Sequence, residues 1–229
     1  MSGNLEKQNT VSSLNQTPKC CFFSGNPEGS PRILFVGNSI TYHAPKPDIG
    51  WFGSWGMAAS SEDKDYVHLV MAEVIKKHPN AAFCVVQVAT WEREYKGYDN
   101  DAVFFEAKDF KPDVIICGIS ENVPRDYFEA QSFKKELHNL HTYLSGGRKD
   151  TIVIQATSFF ISQEKDNTLI DYCREYDAVS VDLRDVACDE SNLALGEYEH
   201  HGVSIHPGDK GMQTLADKYI AKLKEQGVI

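Results

Sequence analysis

The sequence holds no apolar run of membrane-spanning length, no C-x-x-C pair, no surplus of positive charge and no internal repeat. Each absence removes a class of function. A transmembrane helix needs about 20 consecutive apolar residues, and none are found. Without closely paired cysteines there is no sign of a zinc ribbon or a dithiol redox centre. The six cysteines, of which Cys84 and Cys117 lie in apolar strand-like runs, read as reduced thiols. A formal net charge of −10 gives no general attraction to nucleic acid phosphates or anionic lipid, so neither nucleic acid nor membrane is an expected partner. The acids are dispersed rather than gathered into a tail, as on a solubilising surface. Met1–Lys19 is polar and lacks the apolar core of a secretory leader, so the sequence as given reads as cytoplasmic. An exported chain whose leader had been removed would read the same way.

What is present is an ordinary globular balance, 41% hydrophobic and 24% charged over 229 residues, enough for one domain with a large core. Residues 1–31 are rich in Ser, Asn, Gly and Pro and are expected to form an irregular arm, disordered at its start, that packs Phe22 and Phe23 on the domain. Residues 32–229 are expected to form that single domain. Five apolar runs read as buried strands: Ile33–Gly37, Ala82–Ala89, Asp113–Gly118, Thr151–Ala156 and Ala178–Leu183. Between and after them, apolar residues recur at helical spacing. Val67, Val70, Met71, Val74 and Ile75 predict a helix over Asp63–Lys77, with Ser60 and Asp63 as a capping box. Phe133, Leu137, Leu140 and Leu144 predict a second, closed by Gly146. Leu169, Cys173 and Tyr176 mark a third, and Met212, Leu215, Ala216, Tyr219, Ile220 and Leu223 a fourth. Alternating strands and helices predict an α/β fold: a three-layer α/β/α sandwich around a five-stranded, mostly parallel sheet in the flavodoxin-like order 2-1-3-4-5.

Such a sheet brings the carboxyl ends of its strands to one rim, where ligands bind. Three polar features fall there. Ser39 follows the first strand, Ser120-Glu121-Asn122 follows the third, and His206 precedes the last helix. A serine hydroxyl attacks only when a base takes its proton, and a neutral histidine suits that task. Acyl transfer also creates an oxyanion that needs fixed donors, which the Asn122 amide can supply. Taken singly, each has a plainer reading: a helix cap, a turn former and a loop histidine.

Gly37-Asn38-Ser39-Ile40-Thr41 after a strand resembles the first block of the SGNH (GDSL-type) hydrolases, where Gly-Asp-Ser is commoner. Ser120-Glu121-Asn122 is similar to their Gly-x-Asn block, with Ser120 in the glycine's place. His206-Pro207 with Gly211-Met212 resembles their closing block. The likeness spans about Arg32 to Leu223. It implies Ser39 as nucleophile, His206 as base, and Asn122 with the Ser39 amide as oxyanion donors. The absence of Gly-x-Ser-x-Gly argues against the nucleophile elbow of the α/β-hydrolases. Two positions depart from the family. The acid that orients the histidine usually stands three residues before it, where this sequence has Val203. Either a Ser-His dyad operates with a backbone carbonyl holding the ring, or Glu199 or Asp209, the nearest acids, substitutes. The glycine whose N–H completes the oxyanion hole is also missing from Ala89-Thr90-Trp91-Glu92-Arg93, which leaves Trp91 or Glu92 as candidate backbone donors.

In the loop Pro45–Gly56, Trp51, Phe52 and Trp55 either line a substrate pocket or fold the loop onto the domain. His43 is a further candidate for substrate contact. The Glu199, His200, His201 and His206 group fits no metal-binding spacing, and no metal or organic cofactor is implied. The expected function is a serine esterase acting on a small ester, with an O-acetyl group on a carbohydrate as first choice. A lysophospholipase or thioesterase, and a carbohydrate-binding protein on a retired hydrolase scaffold, are the alternatives.

Overall fold

The computed structural model describes residues 19–229; the expected disordered start lies outside the described residues. The strands are β1 (Cys21–Gly25), β2 (Arg32–Gly37), β3 (Ala82–Gln87), β4 (Val114–Gly118), β5 (Ile152–Ala156) and β6 (Val179–Val181). The helices are α1 (Tyr66–Lys77), α2 (Ala89–Glu94), α3 (Asn100–Lys108), α4 (Ala130–Leu144), α5 (Gln163–Glu175), α6 (His201–Ser204) and α7 (Asp209–Glu225). The sheet runs β1-β3-β2-β4-β5-β6. From β3 to β6 every pairing is parallel, in the order expected from the sequence.

The sixth strand is the difference. β1 pairs antiparallel with β3, from Cys21 opposite Val86 to Gly25 opposite Ala82. The expected irregular arm is therefore ordered at residues 21–25. Only Cys21 in this strand is buried, so it carries neither a continuous apolar run nor a strict alternation that would mark it as a strand.

Alternate residues of the central strands face opposite layers, as the period of two requires. In β2, Ile33 and Phe35 join the core under α1 and α7, with Val67, Val70, Leu215 and Tyr219. Leu34 and Val36 join the core under α3, α4 and α5, with Phe104, Phe133, Leu137 and Leu169. α1 starts later than the sequence suggested. Asp65, not Ser60, is its cap: the buried carboxylate accepts from His68 N at 2.8 Å and also from Gly56 N at 2.9 Å. One side chain thus starts the helix and pins the loop after Ser39.

Among the described residues no helix is long and apolar enough to cross a membrane.

Candidate active site

β2 ends at Gly37, and the chain turns sharply over Asn38. The Asn38 carbonyl accepts from Thr41 N (3.0 Å) and Tyr42 N (2.9 Å), while the Ser39 carbonyl accepts from Met57 N (2.8 Å). Gly37 permits this turn, because a Cβ there would lie 1.9 Å from Thr41 Oγ1. Thr41 Oγ1 in turn meets the buried Tyr66 hydroxyl at 2.7 Å. Backbone contacts therefore hold Ser39 and leave its hydroxyl to the cleft.

His206 arrives from the segment before α7. Its Nε2 is 2.8 Å from Ser39 Oγ. With the ring proton on Nδ1, the hydroxyl donates to Nε2. The His206 backbone is held on both sides, its N–H donating to Val203 O and its carbonyl accepting from Ala194 N, each at 3.0 Å. Phe160 meets the ring edge-on, with centroids 5.8 Å apart. Nδ1 is buried and makes no well-formed hydrogen bond; the carbonyls of Gly202 and Val203 are the polar groups there that favour a proton on the ring. Burial outweighs them and pulls the imidazole down to about 4, helped by the neighbouring His43. At neutral pH the ring is uncharged, the form that can accept a proton.

Neither acid suggested by the sequence reaches this ring. Asp209, at the start of α7, accepts from Ser60 N (2.8 Å) and Ser60 Oγ (2.7 Å) and so ties a loop to the helix. Glu199 is exposed and borders a neighbouring depression with Asp48 and Glu197. Val203 is fully buried among Trp51, Met57, Ala58 and Ala194. An apolar cluster occupies the place where an orienting acid was sought.

That cluster also corrects the reading of the aromatic loop. Trp51 is a core residue, with Nε1 donating to His43 O at 3.1 Å. Trp55 is partly buried and donates to Ala59 O at 2.9 Å. Both rings fold the loop down, and neither lines the cleft. His43, just before this loop, does line it, with Nδ1–H donating to Ala44 O at 2.6 Å.

On the other side of Ser39 lies a buried polar network. Asn122 lines the cleft, and its Nδ2 donates one hydrogen to Glu92 Oε2 at 2.6 Å. Its second amide hydrogen is left for the cleft. Glu92 is fully buried, and its Oε1 accepts from Ser120 N (2.6 Å) and Asn38 Nδ2 (3.2 Å). Asn38 Nδ2 also donates to Glu121 Oε2 at 2.6 Å, and Glu121 Oε1 accepts from Phe159 N at 2.7 Å. Burial, then the neighbouring Glu121, raises the Glu92 carboxyl above the usual carboxylate range; burial raises Glu121. Lys165 secures the same loop from α5, donating to Ser120 O (2.9 Å) and Val123 O (2.7 Å).

This network accounts for two departures from the family pattern. Asn38 stands where Asp is commoner because its amide must donate to two carboxylates; an Asp there would bring a third. Ser120 stands in a glycine's place at φ 119°, a conformation that costs a side-chain-bearing residue roughly 1–3 kcal/mol. Its N–H on Glu92 and its hydroxyl on Ser158 Oγ (2.6 Å) hold it there.

The candidate backbone donors fall elsewhere than expected. Trp91 is buried away from the cleft, and Glu92 N–H donates to Val88 O at 3.0 Å. Ala89 and Thr90 line the cleft instead, and the Ala89 N–H already donates to Gln87 Oε1 at 2.9 Å. The role of the Glu92 side chain was not legible in the sequence: a glutamate at the fourth position of α2 announces nothing until β3 and β4 place it beneath Asn122.

No family model and no curated protein matches this sequence. Solved structures do. A psychrotrophic esterase, EstA, from Pseudoalteromonas sp. is similar over 87% of this chain and 100% of its own, with a TM-score of 0.58 at 10% identity. A family two carbohydrate esterase from Clostridium thermocellum, solved with cellohexaose, is similar over 86% of this chain and 65% of its own (TM-score 0.57, 13% identity). A lipase/acylhydrolase from Enterococcus faecalis is similar over 85% and 96% (TM-score 0.52, 14% identity). The fold is that of the SGNH (GDSL-type) esterases and lipases. Within that fold, Ser39, His206 and Asn122 meet in one cleft of about 660 Å³.

Proposed function

We propose that the chain is a serine esterase of SGNH type that works through an acyl-enzyme. The observation that carries this reading is the 2.8 Å contact between Ser39 Oγ and His206 Nε2 at the carboxyl end of β2, in the cleft that Asn122 lines. His206 Nε2 takes the hydroxyl proton as Ser39 Oγ bonds to the ester carbonyl carbon. The carbonyl oxygen becomes an oxyanion and accepts from the free Asn122 amide hydrogen and the Ser39 N–H. The imidazolium then returns its proton to the departing alcohol. Water repeats the sequence and releases the acid.

Glu92 is a positioning residue in this scheme: it turns the Asn122 amide so that one hydrogen faces the cleft. His206 works as a dyad base without a carboxylate. Retirement of the scaffold is disfavoured by the intact Ser39–His206 contact and by the buried groups spent on holding Asn122. For the substrate, an O-acetyl group on a carbohydrate remains the favoured choice, supported by the carbohydrate esterase of the same fold.

Ser39→Ala tests the mechanism. It is expected to abolish hydrolysis of a short-chain ester, a loss of about 10⁴ or more, while thermal unfolding stays unchanged. Undiminished turnover in that variant would exclude Ser39 as nucleophile. A panel of acetyl, butyryl and long-chain esters separates the acetylesterase from lipase-like alternatives.

A further inference from the structure

The cleft differs in charge from the protein that surrounds it. The whole chain carries −10. Yet the side chains that line the cleft include Lys19, Lys46 and Arg93, and no aspartate or glutamate. His43 and His200 also line it, among neutral polar groups such as Gln87, Thr90 and Asn122. A concave site lined by one sign of charge concentrates the field felt by an incoming ligand, even against the net charge of the molecule.

Arg93 is the informative cation. Arg148, Arg174 and Arg184 each lie against an aspartate, at 2.8, 3.0 and 2.5 Å. Among the described residues Arg93, like Arg32 and Arg125, forms no such pair, and of these three it is the one that lines the cleft. Its exposed guanidinium reaches the neutral Asn122 Oδ1 at 3.3 Å. Four further donor hydrogens remain for the cleft. The nearest carboxylate in the network, Glu92, is buried behind the Asn122 amide, which takes its Oε2. Lys46 lies only 3.9 Å from the exposed Asp48, a loose pair that leaves its ammonium available. Lys19 sits 5.6 Å above the Phe22 ring.

We propose that the cleft selects esters that carry a second, anionic group, a carboxylate or a phosphate, and that Arg93 is the residue that receives it beside Asn122. This rests on the esterase reading and names its substrate class. A planar guanidinium matches the paired oxygens of either anion. Placed next to the oxyanion donor, it fixes the ester relative to Ser39 by a group remote from the bond that breaks. Lys19 and Lys46 add attraction at longer range. For a carbohydrate substrate, the class becomes acetylated sugars bearing a uronic acid or a phosphate.

The test compares matched acetyl esters: 4-acetoxybenzoate and 4-acetoxyphenyl phosphate against the neutral 4-acetoxybenzamide. The expected result is a kcat/KM ratio of anionic to neutral ester of about five- to tenfold at low salt, the worth of one exposed to half-buried charged contact. The ratio should fall toward one in about 1 M salt, where charges are screened within about 3 Å. Arg93→Gln should bring it to about one, and Arg93→Lys should keep part of it. Because each ratio is internal to one variant, any general effect of Arg93 on Asn122 cancels. A larger ratio for the phosphate than for the carboxylate identifies phosphate as the preferred group. Equal turnover of neutral and anionic esters, or a ratio unchanged in Arg93→Gln, overturns this proposal and leaves the esterase standing. Turnover of none of the three, with Ser39 unlabelled by a fluorophosphonate, overturns both.

Discussion

The segment leading into His206 packs Val203 against Trp51, Met57, Ala58 and Ala194, and no carboxylate is among the groups that shift the His206 ring. Across Ser39, the support of Asn122 holds two carboxylates, Glu92 and Glu121, joined by Asn38. The two sides of one cleft thus solve the same problem differently. In the proposed mechanism each of these groups must be aimed at the ester. His206 is aimed by its backbone bonds, by Phe160 and by close packing; Asn122 is aimed by a buried carboxyl group. The difference has an electrostatic consequence. Without a carboxylate behind it, His206 titrates far below an ordinary imidazole, and burial is the main reason. The carboxylates beneath Asn122 titrate above the ordinary range, again through burial. Both shifts favour the uncharged form.

Moving an acid to the histidine side would test the contrast most severely. In Val203→Asp the new carboxyl would lie in a fully buried apolar cluster. We expect a loss of about 3–5 kcal/mol in unfolding free energy by denaturant titration, and no gain in kcat. A stable variant with faster turnover would mean that the dyad is merely a triad lacking its acid.

Removing the acceptor carboxyl from the other side should cost activity. Glu92→Ala frees the Asn122 amide and leaves Ser120 N–H and Asn38 without that acceptor. We expect kcat to fall about 10²-fold with KM little changed, close to the loss of one oxyanion donor. Glu92→Gln, which keeps an acceptor oxygen, should recover part of it. Equal losses in kcat for the two variants, or a loss confined to KM, would argue that Glu92 does not aim Asn122.

Restoring the commoner family residue in Asn38→Asp should have the smallest effect of the three. It replaces the one donor shared by two carboxylates with a third acid, worth about 1.5–3 kcal/mol for a hydrogen bond to a charged group. The loss should depend on pH with a definite sign. Carboxyls whose folded pKa is raised hold their protons more tightly when folded, so the variant should recover stability as pH falls and lose it as pH rises. Thermal unfolding at several pH values checks this; a pH-independent loss would remove the shared-donor explanation.

Much of this arrangement was legible in the sequence. Five strands follow from apolar runs such as Ala82–Ala89 and Asp113–Gly118, because burial on both faces leaves little else a strand can be, and their order follows from the alternation of strands and helices. Ser39, Asn122 and His206 were legible as candidates because all fall at strand ends or a helix start, which the topology brings to one rim, and because the blocks around them resemble those of the SGNH hydrolases. β1 was not, since one buried residue in five leaves no pattern. The Glu92 side chain was not, because its value depends on β3 and β4 lying side by side. Trp51 and Trp55 were left open between two readings for the opposite reason: large aromatics in a Gly- and Pro-rich loop look the same from sequence whether they face substrate or the core, and packing with Val203 decides for the core.

The central claim is that Ser39 is activated by a histidine held without a carboxylate. The rate of covalent labelling of Ser39 by a fluorophosphonate, followed against pH by mass spectrometry, tests it most directly. Labelling requires the neutral imidazole, so it should be lost only as pH falls through the lowered value near 4, well below an ordinary histidine. An acid limb at about 6.5 or above, as for an unperturbed or carboxylate-paired imidazole, or no label on Ser39 at any pH, would contradict it.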